Sequence, residues 1–222
     1  MFRNLLNTRV SATTCWLRSV FGKRYFLWIA GGIIWLGASC GGVTLLTIHA
    51  NSPGPTQRPF PRWPIDTSIT LSKHGDTLLL FAHPRCPCTR ATLGELEKIV
   101  ARSPGSVTPW VVFFRPSGSD ETWDQTDLRT TAEAIPGVHV VSDVDGVEAQ
   151  RFNAKTSGET VLYNQKGELL FSGGITMARG HAGDNIGRSA IESYLVGVVP
   201  DCRHTPVFGC PIARSAKSLE QK

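Results

Sequence analysis

The sequence predicts a mixed α/β domain, with a central sheet and helices on both faces, preceded by one N-terminal transmembrane helix. Three patterns predict this architecture. Strand-like and helix-like segments alternate from residue 65, two further strand-like segments form a hairpin before a last helix, and residues 25–50 contain no Asp, Glu, Lys or Arg. Parallel β-α-β units need helical crossovers and a hairpin adds antiparallel strands, so the sheet should be mixed.

The first 24 residues are predicted to form a basic cytoplasmic tail. They carry five Lys or Arg residues and no acidic residue, which leaves 18 basic and 18 acidic residues in the rest of the chain. The basic excess belongs to this tail, so it does not indicate nucleic-acid binding. A basic flank on the N-terminal side of an apolar segment is typical of an end that stays inside the cell.

Residues 25–50 are long enough to cross a hydrocarbon core of about 30 Å. They predict a single-pass signal anchor in a bacterial inner membrane, with the following domain in the periplasm or outside the cell. A cleaved lipoprotein signal ending at Cys40 is the alternative. Residues 51–64 contain five prolines and predict a stiff spacer of roughly 40 Å, unless part of the segment packs onto the domain.

The elements of the domain, assigned to residues 65–200, follow from the periodicity of apolar residues and from turn residues. A hairpin is expected at 159–174 around the turn Gln165-Lys166-Gly167, and Asp184 or Asn185 should cap the last helix. The other strands are predicted at 77–82, 107–114 and 137–143, and the helices at 86–102, within 117–135, at 145–154 and up to residue 198.

Two cysteines, Cys86 and Cys88, are separated by Pro87 where the first strand meets the first helix of the domain. The first amides of a helix lack intrahelical partners and carry partial positive charge, which favours a thiolate. Arg85 adds a full positive charge, and His83 adds another when it is protonated. We therefore expect Cys86 to have a lowered pKa and to act as a nucleophile. The alternative is a buried structural cysteine.

The segment "RCPCTRATLGEL", residues 85–96, resembles the active-site segment of the thioredoxin superfamily, and the resemblance covers most of residues 65–200. Members typically read W-C-G-P-C-R-A-x-x-P-E-L, so Cys86 matches their first cysteine and Thr89 their second. With "FSGGIT", "RGHAGDN" and "FGCP", the chain is most similar to membrane-tethered bacterial thioredoxin-like proteins of the RedB type. The resemblance implies a three-layer fold and disulfide exchange with protein partners without an organic cofactor. A membrane electron donor or acceptor would then be needed.

Three positions depart from the family pattern. Glu159 stands where the family has a cis-proline, Leu80 replaces a buried acid, and Cys88 lies one residue early. Residues i and i+2 do not share a helix face, so a Cys86–Cys88 disulfide needs a distorted first helical turn or a Cys86 that stays outside the helix. A strained disulfide is more easily reduced. Either this pair is a high-potential couple, or Cys88 does something other than release partners from Cys86.

The thiols of Cys86 and Cys88 are compatible with three functions. In a thiol–disulfide oxidoreductase, which we favour, Cys86 attacks a partner disulfide and Cys88 releases the partner. In a metallochaperone, His83, Cys86 and Cys88 would bind Cu(I), because soft sulfur ligands select this ion. His181 could complete that site. In a thiol peroxidase, Cys86 would reduce peroxide.

Two later segments carry further candidates. In the tail, residues 201–222, a structural disulfide between Cys202 and Cys210 is the favoured interpretation, and a Cys210 that reaches the active site is the alternative. The turn after the last strand should lie beside the cysteine helix in a thioredoxin-like fold. Arg179, His181 and Arg188 could then approach Cys86, or they could be exposed residues of a glycine-rich loop.

Overall fold

The computed structural model describes residues 7–212, with side chains described from residue 25 onward. The chain divides between His49 and Ala50 into two compact units, an N-terminal helix and a domain. The side chains of the predicted basic tail, residues 1–24, and the last part of the C-terminal tail, residues 213–222, lie outside this description.

The first helix, α1, runs from Asn7 to Asn51. Its segment Tyr25–Asn51 has 27 residues and a mean hydropathy of 1.7, so it is long and apolar enough to cross a membrane. Its large apolar side chains, such as Trp28 and Trp35, are exposed to the surroundings of the chain. A contiguous exposed apolar surface of this kind is typical of contact with a membrane or a partner.

The domain contains five strands and four helices within the described residues. The strands form one sheet in the order β3-β2-β1-β4-β5. In chain order the elements are β1 (Asp76–Ala82), α2 (Thr89–Arg102), β2 (Val107–Arg115), α3 (Asp127–Glu133), β3 (His139–Val144), α4 (Val147–Arg151), β4 (Glu159–Tyr163), β5 (Leu169–Gly174) and α5 (Ile186–Leu195).

The sheet is mixed, as the sequence predicts. The central strand β1 pairs with β2 in parallel and with β4 antiparallel, β2 pairs with β3 in parallel, and β4 pairs with β5 as the predicted hairpin. Helical crossovers join β1 to β2 and β2 to β3, because parallel neighbours cannot be joined by a tight turn. Asn185 caps α5, since its side chain accepts the amide hydrogen of Arg188.

Alternate residues of β1 pack on opposite faces of the sheet, since successive side chains of a strand point to opposite sides. Leu80 packs with Leu96 of α2 and Ile191 of α5. Phe81 packs on the other face with Phe152, which follows α4. Helices therefore cover both faces, and the C-terminal end of β1 lies between two buried layers.

The proline-rich segment, residues 51–64, packs in part onto the domain, which is the alternative to the stiff spacer that its composition predicts. The amide of Trp63 donates a 2.8 Å hydrogen bond to the carbonyl of Gly167 in the hairpin turn. The Trp63 ring packs edge-on against Phe152 and Tyr163, with centroids 5.0 and 5.3 Å away. Burial of this aromatic surface stabilises the docked arrangement, so the end of the segment belongs to the domain.

Candidate active site: three thiols at the end of the central strand

The cysteine motif forms a tight turn between β1 and α2. The amide of Cys86 donates to the carbonyl of His83 at 3.1 Å, and the amide of Thr89 donates to the carbonyl of Cys86 at 3.0 Å. Helix α2 begins at Thr89 with Cys88 as its N-cap residue, and not at Cys86 as predicted. The hydrogen-bonded turns hold Cys86 ahead of the helix, and Pro87 lies exposed between the two thiols.

Cys86 is 1 % exposed and is surrounded by hydrogen-bond donors. Burial by itself raises the pKa of this thiol. The amide and thiol of Cys210, followed by the amide of Cys88 and the hydroxyl of Thr89, donate to the sulfur, and together they hold the pKa of Cys86 below its ordinary value. Hydrogen bonds to the charged form favour that form. Cys86 is therefore the thiol of this cluster that is best suited to be a nucleophile.

The pKa values of the two neighbouring thiols, Cys88 and Cys210, are raised and not lowered. Burial raises the pKa of Cys88, and the negative charge of Cys86 and the hydrogen bond to it raise it further. Burial, then the hydrogen bond to Cys86, raises the pKa of Cys210 to about 11. The positive charge of Arg179 opposes both shifts. The cluster thus holds one favoured thiolate between two protonated thiols.

Of the three basic residues considered as neighbours of Cys86, Arg179 lies near the thiols and shifts the pKa values of Cys88 and Cys210. It follows β5, and its guanidinium also donates to the carbonyl of Gly209 in the tail. Arg188 takes neither of the two arrangements considered for it, because its guanidinium is buried and forms a 2.6 Å ion pair with Glu95 of α2. His181 is exposed, and its amide donates to the carbonyl of Ala178.

Glu95 is a supporting residue to which sequence reasoning gave no role. Its side chain is fully buried and accepts the amide hydrogen of Gly183 at 2.9 Å and the side-chain amide of Asn185 at 3.2 Å. These bonds and the ion pair with Arg188 fix the segment after β5 against α2. The available signal was an acidic residue on the apolar face of α2, next to Leu96.

His83 and Arg85 are held by aromatic residues. The Nδ1 atom of His83 accepts the amide hydrogen of Arg85 at 3.1 Å, and the imidazole stacks on Phe114 with centroids 5.9 Å apart. The guanidinium of Arg85 lies 4.4 Å from the ring centroid of Trp123, in a cation–π arrangement. Arg85 thus places its charge over Trp123, and the donors described above are what lower the pKa of Cys86.

Ser157, in the loop before β4, joins three parts of the site and was not singled out from the sequence. Its hydroxyl accepts the amide hydrogen of His83 at 2.9 Å and shares a hydrogen bond of 2.9 Å with the hydroxyl of Thr89. Its amide donates to the carbonyl of Cys210 at 2.8 Å. A small polar residue beside a glycine looks like any loop serine, so the sequence offered no signal for it.

Glu159 begins β4 and is 2 % exposed. Its carboxylate accepts the amide hydrogens of Lys155 and Thr156 at 2.8 and 3.4 Å. Burial outweighs these bonds and raises the pKa of Glu159 to about 7. The hydrogen bonds of Glu159 therefore stabilise the loop that carries Ser157. The carboxyl group of Glu159 gains its negative charge near neutral pH.

The disulfide expected between Cys202 and Cys210 is not the arrangement in the structure. Both thiols are free: Cys210 lies against Cys86, while the thiol of Cys202 donates to the carbonyl of His204 at 2.9 Å. The tail places the two cysteines at different points of the domain, so they do not close a loop. Among residues 25–212 no group of three His, Cys, Asp or Glu side chains is placed to hold a metal ion.

No protein-family model and no curated protein matches the sequence. Solved structures do match. An uncharacterized conserved protein from Geobacillus kaustophilus is 18 % identical, with a TM-score of 0.52, over 75 % of this chain and 94 % of that one. A hypothetical protein from Sinorhizobium meliloti is 19 % identical, with a TM-score of 0.53, over 75 % of this chain and 98 % of that one.

A secreted disulfide oxidoreductase from Mycobacterium tuberculosis is 16 % identical, with a TM-score of 0.41, over 63 % of this chain and 96 % of that one. At such identities the likeness concerns the fold. The strand order, the antiparallel hairpin and the cysteine turn between the central strand and α2 agree with the fold class that the sequence predicts. The chain thus has the mixed five-stranded sheet with helices on both faces that its sequence resemblance to the thioredoxin superfamily predicts, preceded by one helix that is apolar enough to span a membrane.

Proposed function

We propose that the chain is a membrane-anchored, extracytoplasmic thiol–disulfide oxidoreductase in which Cys86 is the nucleophile and Cys88 the second thiol. The observation that carries this proposal is the environment of Cys86. The turn holds Cys86 ahead of α2, and hydrogen bonding from Cys210, Cys88 and Thr89 lowers the pKa of its thiol, while the pKa of the neighbouring Cys88 is raised. A thiolate is the attacking species in disulfide exchange, and a second thiol in contact with it completes the chemistry.

The exchange proceeds in two steps. The Cys86 thiolate attacks one sulfur of a partner disulfide, which forms a mixed disulfide and releases the first partner thiolate to take up a proton. Cys88 then loses its proton and attacks the sulfur of Cys86, so the mixed disulfide breaks and the second partner thiolate leaves. Two electrons pass from the chain to the partner, and the reverse sequence oxidises a partner dithiol. The positive charge of Arg179 stabilises the thiolate that forms at Cys88.

Protein thiols and disulfides are the proposed substrates, and a membrane electron carrier would restore the starting state. The apolar span Tyr25–Asn51 and the basic residues that precede it support an anchor with the domain outside the cytoplasm, where disulfides persist. An alkaline phosphatase fusion at the C-terminus tests this orientation. We expect an active fusion, because the phosphatase folds only outside the cytoplasm, and an inactive, stably produced fusion would exclude it.

The activity is tested with the full chain in detergent, with dithiothreitol as electron donor and insulin as the disulfide substrate. We expect insulin reduction by the natural chain and only the background rate with Cys86→Ser. Cys202→Ser is the matched control, because Cys202 contacts the carbonyl of His204 and lies apart from the thiol cluster. A Cys86→Ser variant that reduces insulin as fast as the control would exclude the proposed mechanism.

A further inference from the structure

The C-terminal tail, residues 202–212, follows a defined path along the domain. The amide of Ser172 in β5 donates to the carbonyl of Arg203 at 3.0 Å, and the amide of Thr205 donates to the carbonyl of Ser172 at 3.2 Å. This segment pairs in parallel with the outer edge of β5. Val207, which follows, is 1 % exposed. Such hydrogen bonds and burial fix the tail as part of the fold.

The end of the tail then crosses the loop before β4. The amide of Ser157 binds the carbonyl of Cys210, and the amide of Ile212 donates to the carbonyl of Lys155 at 2.9 Å. Gly209 makes this approach possible, because a Cβ atom at this position would lie 1.8 Å from the carbonyl oxygen of Ser157. The sequence therefore has a glycine where the tail must pass closest to the loop, immediately before its cysteine.

This path brings Cys210 beside the cysteine turn, because Ser157 binds the carbonyl of Cys210 through its amide and contacts the amide of His83 and the hydroxyl of Thr89 through its hydroxyl. Cys210 is close enough to Cys86 for its amide and thiol to lower the pKa of that cysteine. Arg179 strengthens the arrangement, since it binds the carbonyl of Gly209 and places its charge beside Cys88 and Cys210. Two thiols thus lie near Cys86, one from its own turn and one from the tail.

The two thiols differ in the ring that a disulfide to Cys86 would close. A Cys86–Cys88 bond closes a ring that contains only Pro87 between the two cysteines, and the φ angle of proline is fixed. Cys88 already has the helical backbone angles φ −67° and ψ −27°. Few torsions remain to reach the S–S dihedral of about 85–100° that disulfides prefer. Cys210 comes from a separate segment, so its side chain and backbone can adjust, and a disulfide to Cys210 is the less strained of the two.

We infer that Cys210 is a third redox-active thiol, which takes over the disulfide from Cys88 and forms a Cys86–Cys210 bond in the oxidised protein. This inference rests on the proposed function. In the step, Cys210 loses a proton and attacks the sulfur of Cys86, the Cys86–Cys88 bond breaks, and the released Cys88 takes up the proton. One disulfide is exchanged for another, so no further oxidant is needed. The disulfide then links the tail covalently to Cys86 in the oxidised chain.

The test is disulfide mapping of the full chain in detergent. The reduced chain is oxidised with glutathione disulfide, free thiols are alkylated, and the peptides are identified by mass spectrometry. We expect Cys86 linked to Cys210 in most of the oxidised natural chain and in the control Cys202→Ser. In Cys210→Ser we expect a Cys86–Cys88 disulfide instead. In Cys88→Ser, Cys210 should displace glutathione from Cys86 directly.

The outcomes separate this inference from the proposed function. A natural chain with a Cys86–Cys88 bond and an alkylated Cys210 would overturn the inference and leave the proposed function intact. A Cys88→Ser variant in which glutathione stays on Cys86 would overturn the inference as well. A Cys86 that acquires neither glutathione nor a disulfide in any variant would overturn both.

Discussion

The amide of Ser157 donates a 2.8 Å hydrogen bond to the carbonyl of Cys210, while the hydroxyl of the same serine accepts the amide hydrogen of His83. One buried residue of the loop before β4 therefore connects the cysteine turn with the C-terminal tail. The position of Cys210 at the sulfur of Cys86 depends on this connection.

Ser157→Ala should destabilise the domain by about 1–3 kcal/mol, because the partly buried hydrogen bond from the amide of His83 and the buried one shared with Thr89 are both lost. The bond to Cys210 uses the backbone amide and should remain. Urea unfolding measures the change. Ser193→Ala is the matched control, since its hydroxyl makes an exposed hydrogen bond within α5, and we expect a change below about 0.5 kcal/mol. Equal effects of both substitutions would contradict the connecting role of Ser157.

Gly209→Ala should displace the tail from the loop, because the added methyl group cannot share space with the carbonyl of Ser157. Cys210 should then react with iodoacetamide faster than in the natural chain, as followed by mass spectrometry. Gly94→Ala is the control, because a Cβ atom there meets nothing within 4 Å and alanine favours the helix by about 1 kcal/mol. Protection of Cys210 in Gly209→Ala equal to that in Gly94→Ala would contradict the docked tail.

The pKa of Cys86 should be the lowest of the three clustered thiols, because burial is outweighed there by donors from Cys210, Cys88 and Thr89. Titration followed by the ultraviolet absorbance of thiolates should show a step below the ordinary thiol range that Cys86→Ser removes. In Cys210→Ala the same step should move to higher pH, since the thiol donor is lost while the amide remains. A step that stays at its pH in Cys210→Ala would show that this thiol does not stabilise the thiolate.

Glu159 should make the domain less stable as the pH rises. Its pKa is raised by burial from 4.5 in the unfolded reference to about 7 in the fold, so the protonated form is favoured by folding. The contribution of Glu159 to the free energy of unfolding is fully present below pH 4.5 and is lost as the pH rises through about 7. The loss amounts to about 3 kcal/mol.

Urea unfolding at several pH values should show that loss in the natural chain and a flatter profile in Glu159→Gln, which keeps an acceptor for the two amides. Glu97→Gln changes an exposed residue of α2 and should keep the natural profile. If the free energy of unfolding falls with pH as steeply in Glu159→Gln as in Glu97→Gln, Glu159 is not the group that causes the loss of stability.

Arg188→Met should destabilise the domain by about 3 kcal/mol, because it leaves the buried carboxylate of Glu95 without its closest cation. Adding Glu95→Gln should recover part of the loss, since the unpaired charge is then removed. Arg102→Ala breaks an ion pair whose arginine is 56 % exposed and should cost less than about 1 kcal/mol. Thermal unfolding compares the three variants, and a loss in Arg188→Met no larger than in Arg102→Ala would contradict the buried pair.

The sequence by itself determined the features that depend on short stretches of chain. The apolar span from Tyr25, the alternation of strands and helices, the hairpin turn at Gly167 and the cap of α5 at Asn185 follow from periodicity and local hydrogen bonding. The place of Cys86 at the end of β1 follows in the same way, because a strand, a turn and a helix each have a local pattern.

Only the tertiary structure decided which distant residues meet at the thiols. Cys210, Arg179 and Ser157 come from three separate segments, and nothing in their local sequence states that the tail crosses the loop before β4. The composition of residues 51–64 predicted a stiff spacer, yet the ring of Trp63 packs on Phe152. Such contacts are selected by the burial of complementary surfaces across the whole domain, and local patterns do not record them.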